Sequence, residues 1–521
     1  MAAPALSVDR TVAIIGSGAM GAGIAQVAAA AGYTVRLFDT RPTAIDQAIA
    51  GIGARYDKLA AKGRMTPAEA LAARARLQVA DGLEQAAGAA MVIEAIVENI
   101  ALKRMLFADL EKIVSDDCIL ATNTSALSIT AIGATLRVPA RLVGMHFFNP
   151  VPLMALVEVI SGLATDPAVA QTVYATAQSW GKSPVHARST PGFIVNRVAR
   201  PFYAEALRLL REQATDPATL DAIMREAGGF RMGPCELMDL IGHDVNFAVT
   251  ESVHQAYFGD PRFAPSVLQR EMLDAGYLGR KSGRGFYRYD TGVAAPSVAS
   301  EPAFARPESV MLTTAPDATA PTLAIMATLA TRLEQAGVTV RRRHPPPGSY
   351  EPATPALHCN GAAVYLTDGR SATARAHANG HADTVLFDLA FDFGVATRIA
   401  LAPSDQCRPE AYQAVAGMFG AAGFTVSRID DAPGMIVMRT VAMLANEAAD
   451  AVLYGVCSAE AVDLAMQKGV NYPRGPLAWA DMIGLAHIVA VLTNLGISYG
   501  EERYRVSPLL RRKLVAGRFH G

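Results

Sequence analysis

The chain has 521 residues, of which 51% are hydrophobic and 18% are charged, so two or more domains with sizeable cores are expected. The formal net charge of -1 provides no general electrostatic field for nucleic acid, and no nucleic-acid partner is predicted. The five cysteines are scattered without metal-ligand spacing, as in proteins of a reducing compartment, and no metal site is expected. The N-terminal residues lack the pattern of a secretion signal, and no run of 18 apolar residues occurs. These features predict a cytoplasmic protein without a membrane span.

The N-terminal segment reads as a strand, a glycine-rich turn, a helix and a second strand. Gly16, Gly18 and Gly21 complete the pattern G-x-G-x-x-G between the first strand and the helix. The first glycine permits a tight turn, the second lets the backbone approach a pyrophosphate, and the third lets helix and strand pack closely. Asp39 ends the second strand, where a carboxylate can accept hydrogen bonds from a ribose and repel a 2′-phosphate. The segment predicts a Rossmann-type domain that binds NAD in preference to NADP.

Two further predicted strands, AMVIEAIVEN and CILATNTSALSI, run into polar loops. In a doubly wound sheet the ligand lies beyond the carboxyl ends of the strands. Glu98, Asn123 and Ser125 occupy such positions. From the residues alone, each is as compatible with a turn or a helix cap as with ligand binding.

The stretch HFFNPVPLMALVEVI, residues 146–160, places His146 and Glu158 in an otherwise apolar run. A strand near His146, a Pro-Val-Pro turn and a returning strand would bring the two side chains together. Histidine titrates near neutral pH and can take the proton of an alcohol, while a carboxylate on its other nitrogen fixes the tautomer. The alternative is a core histidine with a backbone partner and an unrelated glutamate. These residues alone leave both interpretations open.

A helical region follows the break at Pro191-Gly192 and ends in the basic stretch GRKSGRGFYRY. At this point the chain closely resembles the 3-hydroxyacyl-CoA dehydrogenases. The resemblance is carried, in family order over roughly the first 290 residues, by GSGAMGAGIA, VIEAIVEN, NTSALSI, HFFNPVPLMALVEV, TPGFIVNR, MGPCELMDLIG and GRKSGRGFY.

The resemblance implies reversible, NAD-dependent oxidation of a 3-hydroxyacyl-CoA to a 3-oxoacyl-CoA. It implies that His146 is the general base, that Glu158 orients it, and that Ser125 and Asn196 hydrogen-bond the substrate. The residues predicted to contact NAD are Gly16, Ser17, Gly18, Ala19, Met20, Gly21, Asp39, Glu98, Lys103, Asn149 and Lys281. Lys62 is predicted at the CoA end. Only eight lysines occur in the chain, so the match of three of them to family positions is informative.

A second copy of the helical region follows the first at a constant offset of 242 residues, as from Pro191 to Pro433. The same offset takes MGPCELMDLIG to RGPLAWADMIG. It also takes His146 to Asp388, Glu158 to Ala400 and Asn196 to Met438, so the second copy is predicted to lack the site.

The second copy has an expected structural role. Single-copy family members, as the resemblance implies, dimerise through their helical domains. The two copies are therefore predicted to pack as an internal pseudo-dimer, and a further homo-oligomer is compatible with this arrangement.

The region between the two copies is predicted to be a degenerate Rossmann remnant without the glycine fingerprint. Residues 309–343 read strand, loop, helix and strand, and AAVYLTD, TVLFDLAFD and TRIALAP are strand-like. RRRHPPPGSYEPATPALHCNG is predicted as an exposed loop. The expected domains are an NAD-binding domain at 1–188, a helical domain at 189–290, the remnant at 291–400 and the second helical repeat at 401–521.

The tandem layout resembles bacterial members that act in phenylacetate or other aromatic-acid breakdown, or on 3-hydroxybutyryl-CoA. Short-chain or dicarboxylic acyl groups such as 3-hydroxyadipyl are therefore expected, with the acyl length and recognition of a terminal carboxylate left open. One alternative is a retired, crystallin-like structural protein that still binds NAD, and the intact set of site residues argues against it. Another is a dehydrogenase of hydroxy acids without CoA, which the histidine of HFFNP disfavours.

Overall fold

The computed structural model of the chain describes residues 3–294, 296–314, 320–343 and 356–520. The chain divides into two compact units. The first contains Met1–Arg197 and Tyr454–Val470, and the second contains Val198–Leu453 and Asn471–Gly521. A short segment of the second helical copy thus belongs to the first unit, although it lies more than 250 residues further along the chain.

An eight-stranded sheet forms the centre of the first unit, in the order β3-β2-β1-β4-β5-β6-β7-β8. Its strands are β1 (Thr11–Ile15), β2 (Thr34–Phe38), β3 (Leu77–Val79), β4 (Ala89–Glu94), β5 (Ile119–Thr122), β6 (Leu142–Phe147), β7 (Leu156–Ser161) and β8 (Ser183–Arg188). Neighbouring strands are parallel in every pair except β6 and β7, so β7 and β8 run opposite to the other six strands. The central strands are apolar on both faces because helices cover both, as expected for a doubly wound sheet. The predicted Rossmann-type fold is confirmed.

The helices that accompany this sheet follow the usual start signals, with proline or a polar cap in the first turn of most. They are α1 (Ala19–Ala30), α2 (Pro42–Ala61), α3 (Pro67–Ala75), α4 (Ile100–Ile113), α5 (Ile129–Gly133), α6 (Pro167–Ser179) and α7 (Val195–Val198).

The second unit begins with the first helical copy, which also contains a short 3-10 turn at Pro261–Phe263. Its helices are α8 (Arg200–Arg211), α9 (Pro217–Glu226), α10 (Pro234–Ile241), α11 (His243–Ala256) and α12 (Val267–Asp274). The predicted helical domain is confirmed.

A second sheet follows in the same unit, with the order β10-β9-β11-β12-β13-β14-β15. Its strands are β9 (Ser309–Thr313), β10 (Thr339–Arg343), β11 (Ala356–Cys359), β12 (Ala362–Leu366), β13 (Thr384–Phe387), β14 (Arg398–Pro403) and β15 (Thr425–Arg428). Its helices are α13 (Ala320–Gln335), α14 (Ala372–Asn379) and α15 (Pro409–Ala421). The Rossmann-like character predicted for this region is confirmed.

Two details of that prediction need correction. The expected boundary at residue 400 falls inside β14, because the sheet continues through β15 to Arg428. The stretch predicted as an exposed loop begins and ends in strands, since Arg343 closes β10 and Ala356 opens β11. Residues 344–355, its centre, lie outside the described residues. Sequence reasoning missed β11 because a short strand after a proline-rich stretch carries little periodic signal.

The second helical copy comprises α16 (Val437–Leu453), α17 (Ala459–Gly469), α18 (Pro476–Ile483), α19 (Leu485–Tyr499) and α20 (Pro508–Ala516). A 3-10 turn at Glu502–Tyr504 precedes α20. Of these helices, α17 belongs to the first unit, where it packs against β7 and β8.

Within the second unit, α8 of the first copy packs against α16 of the second. Each copy provides a buried glutamate that meets arginines of the other. Glu205 lies 2.8 Å from Arg439 and 3.8 Å from Arg503, while Glu447 lies 3.1 Å from Arg262. Glu205 and Glu447 are equivalent at the offset of 242, and Arg262 and Arg503 occupy equivalent 3-10 turns. The contacts are therefore reciprocal, as at an interface related by a twofold axis.

In the described part of the chain, no single helix is both long and apolar enough to span a membrane. The pair α18 and α19 meets a test of length and composition together, but its two helices are bent by 101°.

Candidate active site

The centre of the candidate site is a cross-strand pair. β6 and β7 form the predicted hairpin, and its register sets His146 directly opposite Glu158. His146 Nδ1 and Glu158 Oε2 lie 2.6 Å apart, and both side chains are buried. With the carboxylate ionised, Nδ1 carries the proton and donates it to the hydrogen bond, so Nε2 is left as an acceptor. The pair can therefore take a proton from an alcohol at Nε2.

The second oxygen of Glu158 is held by the start of α7. The N–H groups of Ile194 and Val195 each donate to Glu158 Oε1 at 3.0 Å. Phe193, just before them, has a φ of +47°, and this turn aims the two N–H groups at the carboxylate. Two N–H donors stabilise the ionised carboxylate, and the same contacts hold it in the orientation that the histidine requires.

Asn196 and Ser125 are also brought near each other within the first unit. Asn196 Nδ2 donates to the backbone oxygen of Ser125 at 3.3 Å. The Ser125 N–H donates to Glu98 Oε1 at 2.9 Å, and its hydroxyl lies 3.3 Å from the same oxygen. Burial raises the pKa of Glu98, but hydrogen bonds from Thr124 and Ser125 and the charge of Lys103 outweigh it and hold that pKa below its ordinary value. Glu98 is therefore an ionised carboxylate, and its hydrogen bonds hold the loop after β5 in place.

The glycine fingerprint has the shape that a pyrophosphate requires. A Cβ on Gly16, whose φ is +104°, would lie 2.6 Å from the oxygen of Ala95, and one on Gly21 would lie 1.8 Å from the oxygen of Gly16. A Cβ on Gly18 would meet nothing within 4 Å, so the space above this residue is open. Helix α1 begins after Gly18 without a side-chain cap, so its first N–H groups are available to phosphate oxygens. These residues fit an NAD pyrophosphate.

Asp39 follows β2, as predicted. Its Oδ2 accepts hydrogen bonds from the Ser17 N–H at 2.9 Å and the Ser17 hydroxyl at 2.8 Å, and Oδ1 accepts from the Arg41 N–H at 3.0 Å. Burial raises the pKa of Asp39, but these hydrogen bonds outweigh it and keep the pKa below its ordinary value. A fixed negative charge therefore lies beside the fingerprint, as recognition of an unphosphorylated ribose requires.

Lys103 is a buried residue that pairs with two carboxylates. Its side chain is 1% exposed, and Nζ lies 2.6 Å from Glu94 and 3.4 Å from Glu98. Two carboxylates of its own domain therefore hold the ammonium group, and its predicted contact with NAD stays a prediction. Sequence reasoning missed Glu94, which is fully buried and also accepts a hydrogen bond from the Thr122 hydroxyl at 2.6 Å. The sequence signal for Glu94 was a single acidic residue at the end of an apolar strand.

Most of the remaining predicted contacts are on the surface of their units, and Ser17 is buried. Asn149, after the end of β6, and Lys62, after the end of α2, are both exposed. Lys281 belongs to the second unit, where Nζ lies 2.5 Å from Asp244. Ser17, Ala19 and Met20 lie in the turn and first residues of α1, between the fingerprint glycines. The roles of these residues in binding stay predictions.

The first unit also receives structural support from the second helical copy, which sequence reasoning did not locate. The N–H of Arg188, at the end of β8, donates to the oxygen of Val456 at 2.8 Å. A Cβ on Gly469, the last residue of α17, would lie 2.6 Å from Leu156 and 3.1 Å from Val195. Leu156 begins the strand of Glu158, and Val195 is one of its N–H donors. The α17 segment of the second copy therefore packs against the elements that hold the dyad.

The equivalent strand pair near the second copy has a similar backbone frame but different side chains. Asp388, the counterpart of His146, stands opposite Ala400, the counterpart of Glu158. It accepts N–H hydrogen bonds from Ile436 and Val437 at 3.0 and 2.7 Å, as Glu158 does from Ile194 and Val195. One buried carboxylate thus takes the place of the pair, and no histidine is present at this position.

Comparison with known proteins identifies the family. Residues 11–190 match the model described as 3-hydroxyacyl-CoA dehydrogenase, NAD binding domain, and residues 192–289 and 434–521 match the C-terminal domain. Residues 364–433 match the model described as 3-hydroxybutyryl-CoA dehydrogenase reduced Rossmann-fold domain. The family models thus recognise two copies of the helical domain.

Three relatives illustrate the range of similarity. A 3-hydroxyadipyl-CoA dehydrogenase of Escherichia coli (strain K12) is 41% identical over 506 residues, covering 97% of this chain and 98% of that protein. A probable 3-hydroxybutyryl-CoA dehydrogenase of Bacillus subtilis (strain 168) is 42% identical over 281 residues, covering 54% of this chain and 98% of that protein. The crystal structure of 3-hydroxybutyryl-CoA dehydrogenase from E. coli K12 has a TM-score of 0.87 at 40% identity, covering 98% of this chain and 99% of that one.

Half of this chain therefore corresponds to a whole single-copy enzyme, and the full chain corresponds to a tandem one. The chain belongs to the 3-hydroxyacyl-CoA dehydrogenase family, and it is an NAD-dependent oxidoreductase that converts a 3-hydroxyacyl-CoA to a 3-oxoacyl-CoA.

Proposed function

We propose that the preferred substrate is a short-chain dicarboxylic acyl-CoA, 3-hydroxyadipyl-CoA, in the breakdown of phenylacetate or another aromatic acid. The support is the relative that carries this activity in its name and aligns with nearly the whole chain at 41% identity. The second candidate is 3-hydroxybutyryl-CoA, favoured by the name of a solved tandem structure.

The dyad carries the proposed chemistry. His146 Nε2 takes the proton of the 3-hydroxyl group, and the resulting imidazolium is stabilised by Glu158 at 2.6 Å. Since Glu158 is itself held by two N–H groups at 3.0 Å, the imidazole keeps one orientation through the reaction. In the reverse direction, the same nitrogen returns the proton to the developing alkoxide.

We assign Ser125 and Asn196 to the substrate. Ser125 presents a hydroxyl group, and Asn196 an amide, from two segments that are joined by a hydrogen bond of 3.3 Å. Such neutral donors stabilise an oxygen that gains negative charge during the reaction, without a change of their own charge.

The residues from Gly16 to Gly21 would hold the pyrophosphate of NAD, and Asp39 would hold the adenosine ribose. Bound NAD supplies the two-electron acceptor. Glu98, ionised and fixed by the loop after β5, would face the nicotinamide side of the dinucleotide, with Asn149 beside it. Lys62 would contribute positive charge toward CoA, and Lys103 and Lys281 toward NAD.

We further propose that the second copy is structural and forms an internal pseudo-dimer with the first. The reciprocal pairs of Glu205 and Glu447 with arginines of the opposite copy support this arrangement. The backbone supports it as well. Asp430 N–H donates to Ala214 O at 2.9 Å in the second unit, and Arg188 N–H donates to Val456 O at 2.8 Å in the first. These two bonds are related by the offset of 242 at donor and acceptor alike.

A cytoplasmic location is also part of the proposal. The five cysteines, among them the buried Cys118 and Cys235, are free thiols, as a reducing compartment requires. Fractionation of the source cells should recover the activity with other reduced proteins, and recovery in an extracytoplasmic fraction would contradict this location.

The substrate proposal is tested by the initial rate of NADH oxidation with 3-oxoadipyl-CoA, acetoacetyl-CoA and free acetoacetate. We expect both thioesters to react, with a kcat/KM at least about tenfold higher for 3-oxoadipyl-CoA, since one well-placed charge contact is worth about that factor. A higher kcat/KM for acetoacetyl-CoA would favour 3-hydroxybutyryl-CoA instead. Comparable rates with free acetoacetate would contradict CoA recognition.

A further inference from the structure

A cavity of about 130 Å³ in the second unit is lined by five arginines and lies among elements that the dehydrogenase reaction does not use. α8 and the two 3-10 turns provide these side chains, which are Arg200, Arg208, Arg211, Arg262 and Arg503. No aspartate or glutamate lines the cavity among the described residues. Its volume leaves room for several water molecules, and therefore for a phosphate or carboxylate group.

Three of the five arginines have carboxylate partners. Arg262 pairs with Glu447 at 3.1 Å and with Asp450, Arg208 pairs with Glu501 at 2.7 Å, and Arg503 lies 3.8 Å from Glu205. In the part of the chain that the structure describes, neither Arg200 nor Arg211 has such a partner. Two positive charges at the cavity are therefore uncompensated.

The unpaired charge of Arg200 destabilises the folded state because the residue is buried. Its residue is 6% exposed, and the guanidinium donates to the Thr250 hydroxyl at 3.0 Å and stacks 4.9 Å from the centre of the Tyr203 ring. Its Nε has no hydrogen-bond partner in the described structure. Arginine is rarely buried without a paired charge, because removing the ion from water is not repaid by neutral neighbours. Burial accordingly lowers the pKa of Arg200.

Further donors around the cavity also lack partners. The Nε atom of Arg262 and the hydroxyl of Ser266 are buried and make no hydrogen bond among the described residues. The Nε atoms of Arg208 and Arg503 also make none, although they lie 3.9 Å from Glu212 and 3.8 Å from Glu205. Guanidinium groups match the oxygens of phosphate and carboxylate in pairs, and a hydroxyl adds a further donor. The lining is thus rich in donors and poor in acceptors, which is the composition of an oxyanion site.

The second helical copy provides an internal comparison. At the offset of 242, Arg200 corresponds to Ala442 and Thr250 to Leu492, both buried in the core. The same helix packing is therefore achieved there with apolar side chains. The arginine lining is not required by the fold of the repeat.

We propose that this cavity is a second ligand site, separate from the dinucleotide site, which binds the phosphate or carboxylate group of a small anionic metabolite. Two sources share this chemistry: a phosphate ester or free phosphate, and a free dicarboxylate. Binding neutralises Arg200 and Arg211 and gives partners to the free donors. Because only the folded chain presents the cavity, the anion stabilises the native state.

The test is the melting temperature of the full chain with saturating NADH, so that the pyrophosphate site is already filled. Sodium phosphate and sodium adipate are titrated against sodium chloride at equal ionic strength. We expect a saturable rise of at least a few degrees with phosphate or adipate, on the order of what a ligand well above its Kd produces. The larger rise identifies the source of the anion. Equal melting temperatures in all three salts overturn the proposal.

Two variants locate the effect. Arg200→Met should melt no lower than the native chain in chloride, because it removes an unpaired buried charge, and it should bind the anion at least about tenfold more weakly. Arg211 is exposed, so Arg211→Met should not disturb folding, and it should also weaken binding of the anion. Arg231→Met, at an exposed arginine of the same unit outside the cavity, is the matched control and should change nothing. An anion response that survives in the Arg200→Met/Arg211→Met double variant would overturn the proposal.

Discussion

At the scale of single residues, each carboxylate oxygen of Glu158 makes a different set of hydrogen bonds. Oε2 holds the imidazole of His146 at 2.6 Å, and Oε1 is fixed by the start of α7. Backbone groups thus orient the proposed catalytic histidine through one intervening side chain. This explains why the turn before α7 adopts a φ of +47° at Phe193, a conformation that most residues avoid.

The first prediction concerns this dyad. His146→Gln and Glu158→Gln should each lower turnover by roughly 10²–10⁴-fold, because the base is lost or is held in the wrong tautomer. NADH affinity, measured by fluorescence titration, should stay near the native value. His186→Gln, an exposed histidine of the same unit, is the control and should keep native turnover. Near-native rates in either dyad variant would refute the assignment.

The second prediction concerns Asp39. The native enzyme should prefer NADH strongly over NADPH, and Asp39→Ala should narrow the ratio of kcat/KM values by roughly tenfold or more. Since the pKa of Asp39 lies below its ordinary value, the carboxylate stays ionised as the pH falls. The preference should therefore be as strong at pH 6 as at pH 8. Asp57→Ala, on the exposed side of α2, should leave the ratio unchanged, and equal use of both cofactors by the native enzyme would contradict the role of Asp39.

At the scale of elements, α17 links the second copy to the active site of the first unit. It packs against β7 and β8, and its last residue leaves no room for a side chain beside Leu156 and Val195. Both neighbours adjoin Glu158, so a displacement there changes the position of the dyad. A helix that is more than 250 residues distant in sequence thereby becomes part of the support of the catalytic strand.

The third prediction tests this support. Gly469→Leu should lower kcat by roughly ten- to a hundredfold, since small displacements of catalytic groups have effects of that size. NADH affinity should be unchanged, because the fingerprint lies on other strands. Gly420→Leu in α15 is the matched control, as a Cβ there meets nothing within 4 Å. Native kcat in Gly469→Leu, with unchanged melting temperature, would show that α17 does not position the dyad.

The fourth prediction concerns Asp388, which follows β13 at the position equivalent to His146. Burial raises the pKa of Asp388 from 3.8 to about 6, against the hydrogen bonds from the start of α16. A carboxyl group with a raised pKa stabilises the folded state below its unfolded pKa, and this stabilisation is lost as the pH rises through the folded value. Relative to Asp388→Asn, the native chain should therefore lose about 2 kcal/mol of unfolding free energy between pH 4 and pH 7.

Urea unfolding of both chains across this pH range measures the difference. Asp405→Asn, an exposed residue of the same unit, should run parallel to the native chain. A constant or oppositely sloped difference for Asp388→Asn would contradict the raised pKa.

At the scale of the whole molecule, the second copy supplies helices to both units. α16 packs on α8 in the second unit, and α17 packs on β7 and β8 in the first. Removing the second copy therefore exposes apolar surface of the first, including the buried ring of Phe202, which packs against Tyr472 of the second copy. Surface of this kind causes association or aggregation when it meets water.

The fifth prediction follows from the packing of second-copy helices in both units. Calorimetric titration of the intact chain should give one NADH per chain, because the second sheet lacks the fingerprint. A fragment ending near residue 295 should self-associate or be poorly soluble, as judged by light scattering. A stable, monomeric and fully active fragment would refute the structural role of the second copy, and two NADH sites per chain would refute its emptiness.

Much of the fold and the centre of the site were determined by the sequence alone. Glycine spacing fixes the fingerprint because steric limits act over a few residues, as the clash of 1.8 Å at Gly21 illustrates. His146 and Glu158 are joined by a tight hairpin, whose register follows from the period of two in a strand. The offset of 242 also predicted the second copy and the loss of its site, since duplication preserves spacing.

The tertiary structure decided what depends on contacts between distant segments. It placed Lys103 between Glu94 and Glu98, an ion-pair arrangement that no spacing along the chain indicates. It docked α17 behind the dyad through a backbone hydrogen bond and a glycine contact, neither of which leaves a side-chain pattern to read. It also gathered arginines from two repeats around one cavity. Sequence spacing cannot predict such sites, because burial and charge pairing are properties of the packed molecule and not of any one segment.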